Sequence, residues 1–372
     1  MHNVPVEQRE AAEPDGSSDE RLGHAVKVLS PVSREPRGLD DPQAASRRAR
    51  VGMLVALLSG ALWGASAVIL GEALTRRPLV VAGALFAAPL AAAALHDTFA
   101  FVWVSTVNAA AGRLREAAAA LRTRDGHVVC LAALIGGPLA MSTYLLAIAF
   151  AGAPSAVAVS AIYPALGALL GYLVLGDRLG SRGWAGVVLA VAGATLASYA
   201  PPAGVSSPHY LLGALCAVAS AMGWAVEGVL VARSLQRMPA LAALNIREGI
   251  SALVFLVLVV PLFGAAVVAA RTVGSPTIAI LVVASLCGAG AYLLYYHSLD
   301  LLGPARAMPA NSTYVLWTIA LSLLVTGQSP GWRLVLGGIV VVAGITLVAA
   351  DRPRQAQEDG GERPLGETTG HA

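Results

Sequence analysis

Charge is scarce in this chain. Asp, Glu, Lys and Arg make up only 13% of its 372 residues, about half the share of a soluble globular domain. The charges it has crowd into residues 1–50 and 351–372. Lysine is nearly absent, with Lys27 the single one. The three cysteines, Cys130, Cys216 and Cys287, each sit inside an apolar run and have no metal-ligand spacing. They read as reduced, packed thiols rather than a disulfide framework. A net charge of +3 is too small to point to a polyanionic partner. These shortages exclude a soluble enzyme, a secreted disulfide scaffold and a nucleic-acid-binding module.

Apolar residues are plentiful, at 56% of the chain, and between Val51 and Ala350 they run in long blocks. A helix needs about 20 apolar residues to cross the hydrocarbon core. The runs are Val51–Glu72, Ala88–Ala111, His127–Phe150, Pro154–Leu175, Gly183–Ala200, Tyr210–Ala232, Ala240–Phe263, Thr277–Leu299, Ala305–Val325 and Leu334–Ala350. The expected fold is therefore an all-α polytopic membrane protein of ten transmembrane helices. Residues 1–50 and 351–372 read as disordered cytoplasmic tails, too polar to offset their ordering entropy. The N-terminal tail lacks the short apolar stretch of a signal peptide.

Leu79–Phe86 is an apolar lead-in to the second run, expected outside the membrane as a short interfacial segment. The charge rule selects this over an eleventh span. With ten spans and a cytoplasmic N-terminus, the inner side receives Arg47, Arg48, Arg50, Arg113, Arg115, Arg122, Arg124, Arg178, Arg182, Arg233, Arg237, Arg306, Arg352 and Arg354. The outer side receives only Arg76, Arg77, Arg271 and Arg333. Loops rich in Arg stay cytoplasmic.

The halves repeat. Ala192-Gly193-Ala194-Thr195-Leu196 matches Ala343-Gly344-Ile345-Thr346-Leu347 at an offset of 151, as Tyr163 matches Tyr314 and Gly176 matches Gly327. Ser59-x3-Trp63 matches Ser220-x3-Trp224 at an offset of 161, which places the extra residues of the first copy around the lead-in. The repeats are 51–200 and 201–350. Five spans per repeat is an odd number, so the second copy enters the membrane from the opposite face. Inverted repeats of this kind characterise many secondary transporters.

Ser160-Ala161-Ile162-Tyr163-Pro164, then Gly171, then Leu175-Gly176-Asp177-Arg178-Leu179, then Gly186 and Ala192-Gly193 resemble the EamA domain of the drug/metabolite transporter superfamily. Ala61-Leu62-Trp63-Gly64 is similar to the start of that domain. The resemblance covers about residues 51–350 in two copies. This chain departs from the pattern in Asp177 and Gln328, where the family has Glu, and in Val315, where a mid-helix Pro would fall. The family's second-helix Arg corresponds to Arg247 in one copy and to His96 in the other. The resemblance implies a carrier of small metabolites in the cytoplasmic membrane of a bacterium, often moving them outward.

Ionisable residues inside the bilayer are costly and usually functional. At the offset of 151, His96 falls on Arg247 and Asp97 on Glu248. Inversion would put the first pair toward the outer side and the second toward the inner side, both facing a central cavity. The plainer alternative is structural pairing, although neighbours on a helix point about 100° apart and do not easily satisfy each other alone. Glu227 and Arg247 lie at similar depth on consecutive antiparallel helices, so an ion pair is expected. Asp97, Glu227, Glu248 and His96 are candidate proton carriers. Trp63, Tyr163, Trp224, Asn311 and Tyr314 complete the expected substrate-binding set. His297 is placed on the same path. If the ninth helix already runs before Pro309, that Pro frees a backbone carbonyl; if it starts there, Pro309 is an ordinary first-turn residue. Gly60-x3-Gly64 and Gly167-x3-Gly171 have small-x3-small spacing, read as packing within the bundle first and as a homodimer contact second.

The expected function is secondary transport by alternating access around a cavity lined by the first four helices of each repeat. The substrate would be a small polar or amphipathic metabolite, a zwitterion before a hydrocarbon, with export the expected direction and proton coupling one option. No cofactor or metal is expected, and the partners are the substrate and the lipid bilayer. The rival reading is a membrane-embedded receptor or scaffold subunit that binds without moving its ligand. A membrane enzyme ranks third, since no nucleophile motif or metal cluster is visible.

Overall fold

The computed structural model describes residues 42–80, 85–170, 172–173, 180–198, 208–327 and 330–350. All regular structure among them is helical. The helices are α1 (Pro42–Leu74), α2 (Ala87–Ala110), α3 (Leu114–Ala120), α4 (Arg124–Ala151), α5 (Ala153–Leu170), α6 (Ser181–Ser198) and α7 (Tyr210–Ser234). They continue with α8 (Ala240–Leu262), α9 (Ala266–Val273), α10 (Thr277–Leu302), α11 (Pro304–Asn311 and Tyr314–Thr326) and α12 (Trp332–Ala350). Among the described residues nine helices are long and apolar enough to cross a membrane, and α6 contributes a shorter apolar stretch, Ser181–Ala197. Residues 1–41 and 351–372 of the tails, half of the lead-in (81–84) and the Leu175–Leu179 motif with Gly171, Gly176 and Gln328 lie outside the described residues. The helix α1 begins at Pro42, well before the expected boundary at Val51, because the intervening Ala- and Arg-rich stretch consists of strong helix formers.

Backbone details repeat along with the sequence. Gly152 (φ 78°) and Gly303 (φ 73°) are related by the offset of 151. Each starts a helix that breaks at the same place. In α5 the halves are Ala153–Ser160 and Tyr163–Leu170; in α11 they are Pro304–Asn311 and Tyr314–Thr326. The residues at the break, Ala161 (φ −65°, ψ −7°) and Ser312 (φ −64°, ψ −6°), have matching dihedrals. Pro164 removes an N–H just after the first break. At the second, Ser312 Oγ and Thr313 Oγ1 turn back onto the carbonyls of Met308 and Ala310. Pro309 lies inside a helix already begun, so the first of the two alternatives above holds.

Two π turns account for a drift in register. The offset is 151 at Asp97 and Glu248, 152 at the positive-φ pair Gly112 and Gly264, and 151 again at Gly152 and Gly303. A π turn at Phe255–Val259 lengthens the second copy by one residue. A π turn at Ile135–Leu139 lengthens the first copy and restores the register. Such single-turn insertions are how α-helices absorb an extra residue.

The repeats pack as a pseudo-two-fold pair. The helix α1 packs on α10 and α11, while its equivalent α7 packs on α4 and α5. The equivalent helices α2 and α8 meet antiparallel: Asn108 Nδ2 donates to the Leu241 carbonyl at 3.3 Å, Asn245 Nδ2 to Ser105 Oγ at 2.9 Å, and Ser251 Oγ to Asp97. The equivalent helices α6 and α12 do the same, Gly186 lying against Gly344 and Gly193 against Gly337. Equivalent helices that run antiparallel define an inverted repeat, with its two-fold axis across the helices.

Loops group as alternation requires. On one side Arg237 pairs with Asp125 at 3.4 Å and Arg48 Nη2 donates to the Asp300 carbonyl at 3.1 Å. On the other, Thr277 Oγ1 donates to the Arg77 carbonyl at 2.6 Å, and the Phe150 ring packs on both Phe86 and His209. Gly60 and Gly64 carry close contact between α1 and α11, but Gly167 faces open space, so only one of the two small-x3-small pairs is seen to pack.

Candidate functional site

A small pocket lies between the repeats. Its wall is built by Ser59 and Trp63 of α1, Tyr163 of α5, Trp224, Glu227 and Gly228 of α7, Ala291, Tyr292, Tyr295 and Tyr296 of α10, and Asn311 and Tyr314 of α11. Tyr163 and Tyr314 each open the second half of a broken helix. Discontinuous helices at the repeat interface are a recurring way to build a transporter site. The second helices take no part in the wall, so it draws on fewer helices than the eight expected.

Several polar groups of the wall are engaged with one another. Ser59 Oγ lies 2.7 Å from the Ala291 carbonyl and 2.8 Å from Asn311 Oδ1. Asn311 Nδ2 donates to Tyr163 Oη at 3.2 Å, and Tyr296 Oη donates to Glu227 Oε1 at 3.2 Å. The rings interlock: Trp63 stands edge-on to Trp224 at 5.4 Å and to Tyr292 at 5.1 Å between centroids, and stacks on Tyr144 at 5.9 Å. Offset and T-shaped pairs of this kind are attractive beyond their burial.

Six of the ten expected site residues line this pocket: Trp63, Tyr163, Trp224, Glu227, Asn311 and Tyr314. The other four, His96, Asp97, Arg247 and Glu248, are absent from its wall and form a buried cluster behind it. The two dipeptides also do not separate toward opposite sides. They meet, with Arg247 Nη1 3.7 Å from Asp97 Oδ2, because α2 and α8 cross at this point. Adjacent residues do bond here: Arg247 Nη1 donates to Glu248 Oε1 at 2.9 Å, and His96 Nδ1 lies 3.0 Å from Asp97 Oδ1. In the second pair the long Arg247 and Glu248 side chains close the 100° gap that separates their Cβ directions. The Glu227–Arg247 pair is present, Nε donating to Oε1 at 3.0 Å. His297 is exposed and outside the wall.

Sequence reasoning overlooked two parts of the site. Tyr292 and Tyr296 follow Trp63 and Glu227 into the wall; with Tyr295 they occupy i, i+3 and i+4, one stripe of α10, and that spacing was a usable signal. The other part is the Gly136-Gly137-Pro138 segment of the π turn in α4. There the N–H of Ala140 bonds to the carbonyls of Ile135 and Gly137 and bypasses that of Gly136. The freed Gly136 carbonyl accepts from Arg247 Nη2 at 3.0 Å and Trp224 Nε1 at 3.2 Å. Irregular backbone at membrane depth is tolerated only when other groups satisfy it.

Both glycines are seats for side chains. A Cβ at Gly136 would overlap the Glu227 carboxylate, and one at Gly137 would overlap Ser251 Oγ. Gly136→Ala is expected to displace Glu227 from Arg247 and lower stability by about 1–3 kcal/mol. Thermal unfolding of the purified variant checks this; a transition unchanged from the parent would show that the carboxylate has room to move.

Residues 50–199 and 211–350 each match the EamA-like transporter family. Protein LicB of Haemophilus influenzae is 27% identical over 202 residues, a stretch that spans 53% of this chain and 66%, just under two thirds, of LicB. A protein crystal structure superposes with a TM-score of 0.51 at 21% identity, covering 80% of this chain and 95% of that one. At that identity the likeness is one of fold.

Proposed function

We infer that this chain, which belongs to the EamA-like transporter family, carries a small molecule across the membrane by alternating access to the pocket between its repeats. Membership of that family supports a multi-pass membrane transporter; the mechanism is our reading. One observation carries it: a single pocket is walled by both copies of an inverted repeat, through the breaks in α5 and α11. Two packings related by the two-fold axis then open the same pocket to opposite sides. With α6 counted as a crossing our reading has ten spans, and the Arg-rich loops support cytoplasmic termini, in keeping with a bacterial inner membrane. Outward movement of a polar or amphipathic metabolite is the direction the family resemblance implies. The three carboxyl groups around Arg247 are the candidates for binding a driving proton.

Alternating access is testable without a known substrate. In a variant whose native cysteines are replaced by Ala, Ser59→Cys is expected to react with a membrane-impermeant maleimide added to either face of sealed vesicles. Reaction from one face only would favour a receptor that binds without translocating. Cysteines placed at Ser18 and Gly361 are expected to label only from the cytoplasmic face, and labelling of the two from opposite faces would overturn the inverted topology.

A further inference from the structure

The short helices α3 and α9 are one element in two copies. At the offset of 152 that relates Gly112 to Gly264, Leu114 falls on Ala266 and Leu121 on Val273. Their flanks agree as well: Thr123 Oγ1 donates to the Ala120 carbonyl and Ser275 Oγ to the Thr272 carbonyl. Each packs on the second helix of the other repeat, α3 on α8 and α9 on α2. Since α2 and α8 run antiparallel, α3 and α9 lie at opposite ends of the bundle. Each joins two spans by short turns, which puts it at the depth of the lipid headgroups.

Their charge differs. Arg113, Arg115, Arg122 and Arg124 around α3 correspond to Ala265, Val267, Gly274 and Pro276 around α9. The fold does not require these arginines, because the second copy builds the same helix without them. All four are exposed. Arg113 lies 4.0 Å from Glu116, and Asp125 is taken by Arg237. Arg115, Arg122 and Arg124 have no ion pair among the described residues. The sides of α3 are also sorted. Ala117 is buried against the bundle, while Leu114, Ala118 and Leu121, at i, i+4 and i+7, are exposed along one stripe. Glu116 lies about 200° round from Leu114, and Arg115 and Arg122, seven residues apart, each about 90° from it. A helix sorted in this way lies in the interface, with its leucines toward the acyl chains, its acid toward water and its arginines level with the phosphates.

We propose that α3 is a docking surface for an anionic phospholipid, its phosphate held by Arg115 and Arg122 with Arg124 beside them, and its acyl chains covering Leu114 and Leu121. Guanidinium forks match phosphate oxygens, and a lipid with net negative charge is favoured because a zwitterionic one brings its own cation to a surface already basic. Keeping a loop in the cytoplasm needs only a number of arginines. It does not need them on one side of a helix, next to two exposed leucines. The surface also adjoins a contact between the repeats, since α3 belongs to the first and α8 to the second. The lipid site is separate from the pocket and stands whichever face of the membrane α3 occupies.

Native mass spectrometry of the full chain, titrated in detergent with dioleoyl-phosphatidylglycerol or dioleoyl-phosphatidylcholine, tests the site. Phosphatidylglycerol is expected to give a saturable adduct at concentrations where phosphatidylcholine gives none. Arg115→Gln combined with Arg122→Gln is expected to weaken that adduct about tenfold, and the corresponding pair of Lys substitutions, which keep the charge, less. Arg47→Gln combined with Arg50→Gln removes two exposed arginines of α1 from the same end of the bundle, and is expected to leave the adduct unchanged. Inorganic phosphate is expected to displace the lipid no better than sodium chloride of equal ionic strength. Equal binding of the two lipids, or equal losses in the α3 and α1 pairs, would overturn the proposal; specific displacement by phosphate would assign the arginines to a free anion instead. In detergent alone the α3 pair is expected to unfold at the parent's temperature, and a lower one would mean that the arginines serve the fold rather than a lipid.

Discussion

Arg247→Gln is expected to cost the protein about 3–5 kcal/mol of stability. Arg247, Asp97, Glu227 and Glu248 are all almost fully buried, and the guanidinium is the shared partner of the three carboxyl groups. Glu248 depends on it most, since its second oxygen has no hydrogen-bond partner among the described residues. Removing one member of a buried ionic group is far more damaging than removing all of it, because the remaining charges lie out of water and unpaired. Arg247→Gln combined with Glu248→Gln is therefore expected to be more stable than Arg247→Gln alone. Arg247→Lys keeps the charge but loses the planar fork that reaches Glu227, Glu248 and the Gly136 carbonyl together, and should fall between Arg247→Gln and the parent. Denaturant titration in mixed micelles, followed by tryptophan fluorescence, measures all three. A single variant within about 1 kcal/mol of the parent would mean that water reaches the cluster.

Gly193→Leu is the second substitution with a large expected effect. A Cβ there would lie 2.6 Å from the Val341 backbone nitrogen and 2.8 Å from the Gly337 carbonyl; at the equivalent Gly344 it would lie 2.5 Å from the Ala190 nitrogen. These neighbours are backbone, which has no rotamer to change. Glycine is needed at this crossing because two main chains touch, the use of small residues that membrane helices rely on for close packing. Gly193→Leu must push α6 and α12 apart and is expected to cost about 3 kcal/mol or more, the upper end of overpacking penalties. Gly167→Leu is the matched control: it too replaces a glycine in a membrane helix, but one with nothing within 4 Å of its Cβ position. The same micelle titration compares them. Equal losses in the two variants would point to helix propensity or membrane insertion, and the crossing would lose its special status.

Two glycines of that crossing, Gly193 and Gly344, were visible in the sequence within the repeated Ala-Gly-x-Thr-Leu motif, although only the structure shows that they pack against Gly337 and Gly186 of the opposite helix. The pocket was partly visible. Tyr163 and Tyr314 stand out as repeat partners, and the polar run Asn311-Ser312-Thr313 marks a break in a helix that otherwise reads as one span. Tyr292 and Tyr296 were overlooked because mid-span aromatics are usually packing; their spacing marks one stripe of α10, and only the structure shows that this stripe meets the pocket. The π turns left a trace, the shift from 151 to 152 and back, but hydropathy is blind to a single inserted residue. That residue has a large consequence, since it rotates everything beyond it by about 100° around the helix.

The amino-acid order alone settled the helical class, where the long spans lie and the duplication. It could do so because the bilayer acts on each helix separately: every span must satisfy its own backbone and keep a mostly apolar surface, whatever its neighbours do. The placement of His96, Asp97, Arg247 and Glu248 behind the wall, with Glu227 the one charged residue on it among the described residues, was decided by tertiary structure. That outcome depends on how each helix is rotated about its axis and where it crosses the others. Both are set by contacts between residues far apart in the chain, Asp97 with Arg247 and Gly136 with Glu227, which no local pattern records.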